Sequence, residues 1–267
     1  MTSCRLLSKA IVLILFVRVG YCQMPKLVVQ NGHVRRIVST AFSPTQNIVA
    51  TGGADKMTKI WDSGSGRLLQ TWLSATDGSV RLAFSPDGKL LATASDWGIT
   101  IRDVKSEEQT AKYRYPDAEI KTLSFRLTGD HLAFGGSFGL IVISVKSGAA
   151  IYSERNRDVQ ALAYAPDGRL VVADESGTLE ILDSAYRKTI SQTASKGVRS
   201  IALSRSGKEL VLAYDRAVAL WRLGRETLSL VLESKTPQAG SFYIGQLLEE
   251  DKPKIPSAST KPVVTTP

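Results

Sequence analysis

One short pattern returns five times along this chain, and that return limits its folds more than any other feature. The stretches FSPTQNIVATGGAD (from Phe42), FSPDGKLLATASD (from Phe84), FRLTGDHLAFGGS (from Phe125), YAPDGRLVVADES (from Tyr164) and LSRSGKELVLAYD (from Leu203) begin 39 to 42 residues apart. A second marker follows each one: Trp61-Asp62, Arg102-Asp103, Ile143-Ser144, Leu182-Asp183 and Trp221-Arg222, always 18 or 19 residues after the anchor. Two markers holding register through five units identify a repeat architecture. One such unit cannot bury its apolar face alone, so each needs a neighbour.

The second unit shows what a repeat is made of. Ser79–Phe84 reads as a first strand, followed by Pro86-Asp87-Gly88. That triplet makes a tight turn, because Pro presets φ, Asp bonds the nearby backbone and Gly accepts a positive φ. Leu90–Ala94 is nearly all apolar, as in a strand buried on both faces. Asp96-Trp97-Gly98 turns the chain again, Ile99–Asp103 alternates, and Gln109–Arg114 is a polar outer strand. Four strands in about 40 residues, stacked radially, make one blade of a β-propeller. The predicted fold is therefore all-β, a β-propeller of about five four-stranded blades.

Gly32-His33, Phe42-Ser43-Pro44, Thr51, Asp55 and Trp61-Asp62 make the first unit resemble a WD40 repeat, and the resemblance extends over about Leu27 to Leu232. It implies a structural hydrogen-bonded tetrad of His33, Thr51, Asp55 and Trp61. Later units lack a Gly-His pair, and the marker Trp becomes Arg102, Ile143 and Leu182 before it returns as Trp221, so only the first blade can hold the whole tetrad. Lys26–Gln30 reads as a leading outer strand, yet the fifth unit already has its own at Ser229–Leu232. Ring closure is thus open between five blades closing alone, a second chain completing the ring, and a shortened form of a longer protein. The expected division is a propeller over 23–234, a segment over 235–250 with at most a partial further strand (Ser241–Leu248), and a Pro/Ser/Thr-rich tail over 251–267. The leader followed by PKLVVQNGH (Pro25–His33) also makes the chain resemble secreted bacterial WD40 proteins, which open similarly and are often joined to a C-terminal caspase-like peptidase.

Residues 1–22 have a basic start (Arg5, Lys9), an apolar run from Ala10 to Val17 and a small-residue exit, the layout of a secretory signal peptide. The run is shorter than the ~20 apolar residues a membrane span needs. Cleavage is expected after Cys22, leaving Gln23 first and placing the protein in a secreted or periplasmic compartment. Cys4 and Cys22 are the only cysteines, so the cleaved chain would fold without disulfides and without Cys-based catalysis or zinc binding. The net charge of +9 becomes +6 without Arg5, Lys9 and Arg18, too modest an excess for nucleic-acid binding. No stable membrane insertion is expected after cleavage, since no amphipathic helix is present to carry it.

The residue inventory gives enzymatic chemistry little to work with. Of two histidines, His33 belongs to the tetrad, and His131 takes a turn slot filled by Lys89, Arg169 and Lys208 elsewhere, a solvated position. No catalytic, metal or cofactor residues are expected. Binding is the stronger expectation. Trp97 and Phe138 stand in sister turns on neighbouring blades, and the loops on that side add Arg35, Arg36, Arg114, Tyr115, Arg155, Arg157 and Arg199. Aromatic anchors with arginines around them fit a protein-docking surface. The expected function is a non-catalytic interaction scaffold whose protein partner the sequence does not identify, with self-association through an open blade edge. Two alternatives are the recognition propeller of a caspase-like peptidase whose catalytic part is absent, and a TolB-like periplasmic propeller.

Overall fold

A computed structural model describes residues 32–74, 80–95, 98–115, 119–194, 196–224 and 227–235. The expected leader, the strand at Lys26–Gln30, the segment beyond Lys235, the tail and Trp97 all lie outside the described residues. Those described form twenty strands and no helix. Blade one holds β1 (Ile37–Phe42), β2 (Ile48–Gly53), β3 (Met57–Asp62) and β4 (Leu68–Leu73). Blade two holds β5 (Arg81–Phe84), β6 (Leu90–Ser95), β7 (Gly98–Asp103) and β8 (Gln109–Arg114). Blade three holds β9 (Ile120–Phe125), β10 (His131–Gly136), β11 (Gly139–Ser144) and β12 (Ala150–Glu154). In blade four are β13 (Val159–Tyr164), β14 (Leu170–Asp174), β15 (Thr178–Leu182) and β16 (Lys188–Thr193). Blade five closes the series with β17 (Val198–Leu203), β18 (Glu209–Tyr214), β19 (Ala217–Leu223) and β20 (Leu228–Lys235). Every blade is an antiparallel meander in which consecutive strands pair.

Side-chain chemistry sets each hairpin. In blade two Ser85 Oγ accepts the Leu90 N–H at 2.9 Å and donates to Asp87 Oδ1 at 2.6 Å, while Asp87 also accepts the Lys89 N–H at 3.1 Å. Gly88, at φ 71°, finishes the turn. A Cβ there would collide with the hydroxyls of Thr45 and Ser43 in the preceding blade, so the position needs glycine twice over. Burial follows the strand's place in the blade. β6 is buried through Leu91–Ala94, whereas β8 alternates between exposed and half-buried, as an outer strand facing water on one side should.

The core lies between the blades. Successive inner strands pack on one another, β1 on β5, β5 on β9, β9 on β13 and β13 on β17, with no comparable packing of β17 on β1 among the described residues. Side-chain bonds tie these strands: Ser39 Oγ accepts the Leu82 N–H at 3.1 Å, and Arg81 donates to the Val38 carbonyl at 2.9 Å. Four apolar clusters result, one per junction. Ala50, Ile60 and Trp72 of blade one meet Leu82, Leu91 and Val104 of blade two. Ala92, Ala94, Ile99 and Ile101 then meet Ile120, Phe125, Leu132 and Phe134. Ala133, Leu140 and Val142 meet Val159, Leu170 and Leu182, and Val171, Ala173, Leu179 and Ile181 meet Leu210, Leu212 and Trp221. The anchor of each unit thus inserts toward the blade before it. Phe125 is 7% exposed in that role, whereas Phe42, with no described blade before it, is 70% exposed.

Candidate functional site

Blade one contains one continuous chain of polar side chains. Trp61 Nε1–H donates to Thr51 Oγ1 at 2.7 Å, and Thr51 Oγ1 lies 2.8 Å from His33 Nε2. His33 Nδ1 lies 2.8 and 3.0 Å from the two oxygens of Asp55. An ionised carboxylate only accepts, so His33 Nδ1 carries the proton of that bond. Asp55 also accepts the N–H groups of Val34 (3.0 Å) and Met57 (3.3 Å). Burial opposes its ionisation, but the His33 bond and these two backbone donors outweigh it and hold the carboxyl below its ordinary value. The order hydroxyl, imidazole, carboxylate is that of a catalytic relay. Here the His33 side chain is 2% exposed, the Thr51 residue is buried and its hydroxyl is engaged by Trp61, so no reacting atom faces solvent. The row is a strut joining the entry segment to β2 and β3.

Other blades replace this strut by different means. Arg157, in the connection that enters blade four, ion-pairs with Glu180, lies 3.2 Å from Glu154 and reaches Asp174 at 4.0 Å. Lys188 bridges Glu154 at 2.7 Å and Glu180 at 3.0 Å, tying blade three to blade four. Burial raises the cost of the Glu154 charge, but the Lys188 hydrogen bond and the Arg157 charge bring its carboxyl below the ordinary value. Arg157 is therefore corrected: the docking surface counted it as an outward cation, yet its side chain is 9% exposed and bound to internal carboxylates. His131 also departs from its expected solvated turn. Its Nδ1 lies 2.6 Å from Tyr186 OH, which lies 3.0 Å from Tyr164 OH, and Arg126 approaches the same nitrogen at 3.3 Å. Burial and the Tyr186 bond push the Tyr164 phenol far above its ordinary value. A solitary turn histidine and two tyrosines 22 residues apart carried no sequence signal of this junction.

The remaining docking candidates divide into three groups. Tyr115, after β8, and Phe138, in the β10–β11 turn, both lean on the buried Phe134, with centroids 4.8 and 6.0 Å from its ring. Both are half-buried, a rim over the cluster. Arg114 and Arg155 are exposed where the outer strands of blades two and three end, flanking that rim. Arg35 and Arg36 are exposed ahead of β1, while Arg199 is exposed but bound to Asp215 at 2.7 and 3.0 Å. Among the described residues, no group of three or more His, Cys, Asp or Glu side chains could hold a metal ion.

Comparison with known proteins places this geometry. The family model for the WD domain, G-beta repeat, matches residues 25–62, which hold β1 to β3, and 66–103, which hold β4 to β7. WD repeat-containing protein SL1-17 of Schistosoma mansoni is 26% identical over 157 residues, covering 57% of this chain and 52% of its own length. Periodic tryptophan protein 2 of Arabidopsis thaliana is 25% identical over 242 residues, covering 87% of this chain and 26% of its own length. Eukaryotic translation initiation factor 3 subunit I of Candida albicans is 24% identical over 182 residues and covers 57% of this chain. This chain thus spans about half the length, or less, of these curated relatives. All three are eukaryotic, so the likeness to secreted bacterial proteins rests on the opening residues alone. Among solved structures, the β-propeller domain of Myceliophteria thermophila Cps50 (Swd1) superposes with a TM-score of 0.68 at 15% identity, over 76% of this chain and 74% of that one. The family's repeat is thus matched over residues 25–62 and 66–103, and the five described blades share the fold of a WD40 β-propeller.

Proposed function

We propose that this protein is an exported, non-catalytic scaffold that binds a protein partner at the rim between blades two and three. The observation that carries the reading is the Tyr115–Phe134–Phe138 group. Both outer rings are half-buried, Tyr115 in the connection from β8 to β9 and Phe138 in the β10–β11 turn, whose sister turns carry Ser176 and Arg216, and exposed Arg114 and Arg155 stand beside them. Rigid aromatics resting on a fixed core lose little side-chain freedom on binding, and neighbouring guanidiniums supply orientation-specific hydrogen bonds. Trp97, the sister of Phe138, extends the same reading from the sequence. Export rests on the layout of residues 1–22.

The test is crosslinking of the exported chain in its source cells, followed by mass spectrometry. Crosslinks to a partner should concentrate on this rim. The double variant Phe138→Ser/Arg155→Ala should lose them while still folded by circular dichroism, and the recovered chain should begin at Gln23. Crosslinks that persist in the variant contradict the docking reading, and an intact N-terminus contradicts export.

A further inference from the structure

The first and last of the described blades each present one face unlike the faces between them. At every internal junction the anchor row is covered: Phe84–Leu91, Phe125–Leu132, Tyr164–Leu170 and Leu203–Leu210 are cross-strand pairs whose second member is fully buried. In blade one the same pair is Phe42–Val49, with Phe42 exposed and Val49 half-buried. Ile37, whose counterparts Val80, Ile120, Val159 and Val198 are buried, is 44% exposed on that face. Blade five has the complementary gap on its other side. Ile99 and Ile101 in β7, and Leu179 and Ile181 in β15, are sealed against the next blade, whereas Val218 and Leu220 in β19 are only half-buried.

We propose that these two faces dock on each other between copies of this chain, blade five of one copy against blade one of the next. Every internal junction defines what covers an anchor. In blade two it is the cross-strand row Ala83–Ala92–Ile101, small side chains beside a branched one, packed with Phe125. Blade five carries the row Ala202–Val211–Leu220 in the same register. A second copy thus continues the series of interfaces already present, with an apolar contact that internal blades never leave open. The contact is head to tail, so it joins unlike faces and needs no two-fold axis. It does not depend on the rim between blades two and three.

The test is light scattering on the full chain over a hundredfold concentration range. Wild type should rise from one chain mass to at least twice that mass, and Phe42→Glu, altered at an exposed position, should remain monomeric. Phe42→Glu keeps an intact blade-five face and Leu220→Glu an intact blade-one face, so their mixture should form dimers and nothing larger. Circular dichroism checks that both variants fold. Should Leu220→Glu fail to fold, excess Phe42→Glu added to wild type decides instead, because it caps growing stacks and must lower their mean mass. A wild type that stays monomeric, an assembly indifferent to Phe42→Glu, a mixture without dimers, or stacks that excess Phe42→Glu does not shorten would each overturn the proposal.

Discussion

Trp61 and Trp221 hold the same place in the first and fifth blades, and their surroundings are opposite. Trp61 is half-buried on an uncovered face, yet its N–H is bound into the Thr51–His33–Asp55 row. Trp221 is 5% exposed, packed against blade four, and its buried N–H has no partner among the described residues. The cause is one position: Leu212 stands in blade five where Thr51 stands in blade one, so the ring gains apolar contact and loses its acceptor. The fold accepts either solution at this site, a hydrogen-bonded strut or a neighbour's packing, and blade four shows a third in its Arg157 ion pairs.

Truncation should separate the two tryptophans most. Trp221→Ala removes a ring from a sealed junction and should cost about 3–5 kcal/mol of unfolding free energy, whereas Trp61→Ala should cost about 1–2 kcal/mol, since less packing is lost. Urea titration of both variants measures the difference, and equal losses would erase the contrast between packed and bonded blades. Trp→Phe sharpens it by removing chiefly the N–H. Trp61→Phe should cost about 1 kcal/mol, because it breaks a satisfied bond, while Trp221→Phe should be close to neutral, because it removes an orphaned donor. A larger loss at Trp221 than at Trp61 would contradict the contrast between a bonded and an unbonded indole.

Acid should act on the first blade through Asp55, whose carboxyl is held below its ordinary value of 3.8. A carboxyl that is more acidic folded than unfolded contributes stability that is present above the unfolded value and lost as pH falls through the folded one. Wild type should therefore lose stability more steeply than Asp55→Asn as pH is lowered below about 4. Chemical unfolding at a series of pH values checks this small difference, and parallel profiles would remove Asp55 from the acid response.

The repeat made much of this legible. The five anchors, the 18-to-19-residue offset and the Pro-Asp-Gly turn convey blade number and strand order, because a period of about 40 with alternating strands admits few folds. The tetrad side chains could be named because blade one keeps all four residues. What the pattern concealed arises between units. Arg157 reads as one more surface arginine until Glu154 of one blade and Glu180 of the next are seen to converge on it. His131 reads as a turn residue until Tyr186, 55 positions on, reaches its ring. Phe42 and Phe84 both stand in Ala-Phe-Ser-Pro, and only the order of the stack distinguishes the open anchor from the covered one.

The most direct test of a stack in which an anchor is covered by the blade before it compares Phe42→Ala with Phe125→Ala in dilute solution. Phe125→Ala should lower the unfolding free energy by about 3–5 kcal/mol, and Phe42→Ala by no more than about 0.5 kcal/mol. Similar large losses at both positions would contradict the account, because Phe42 would then be covered by a blade as Phe125 is.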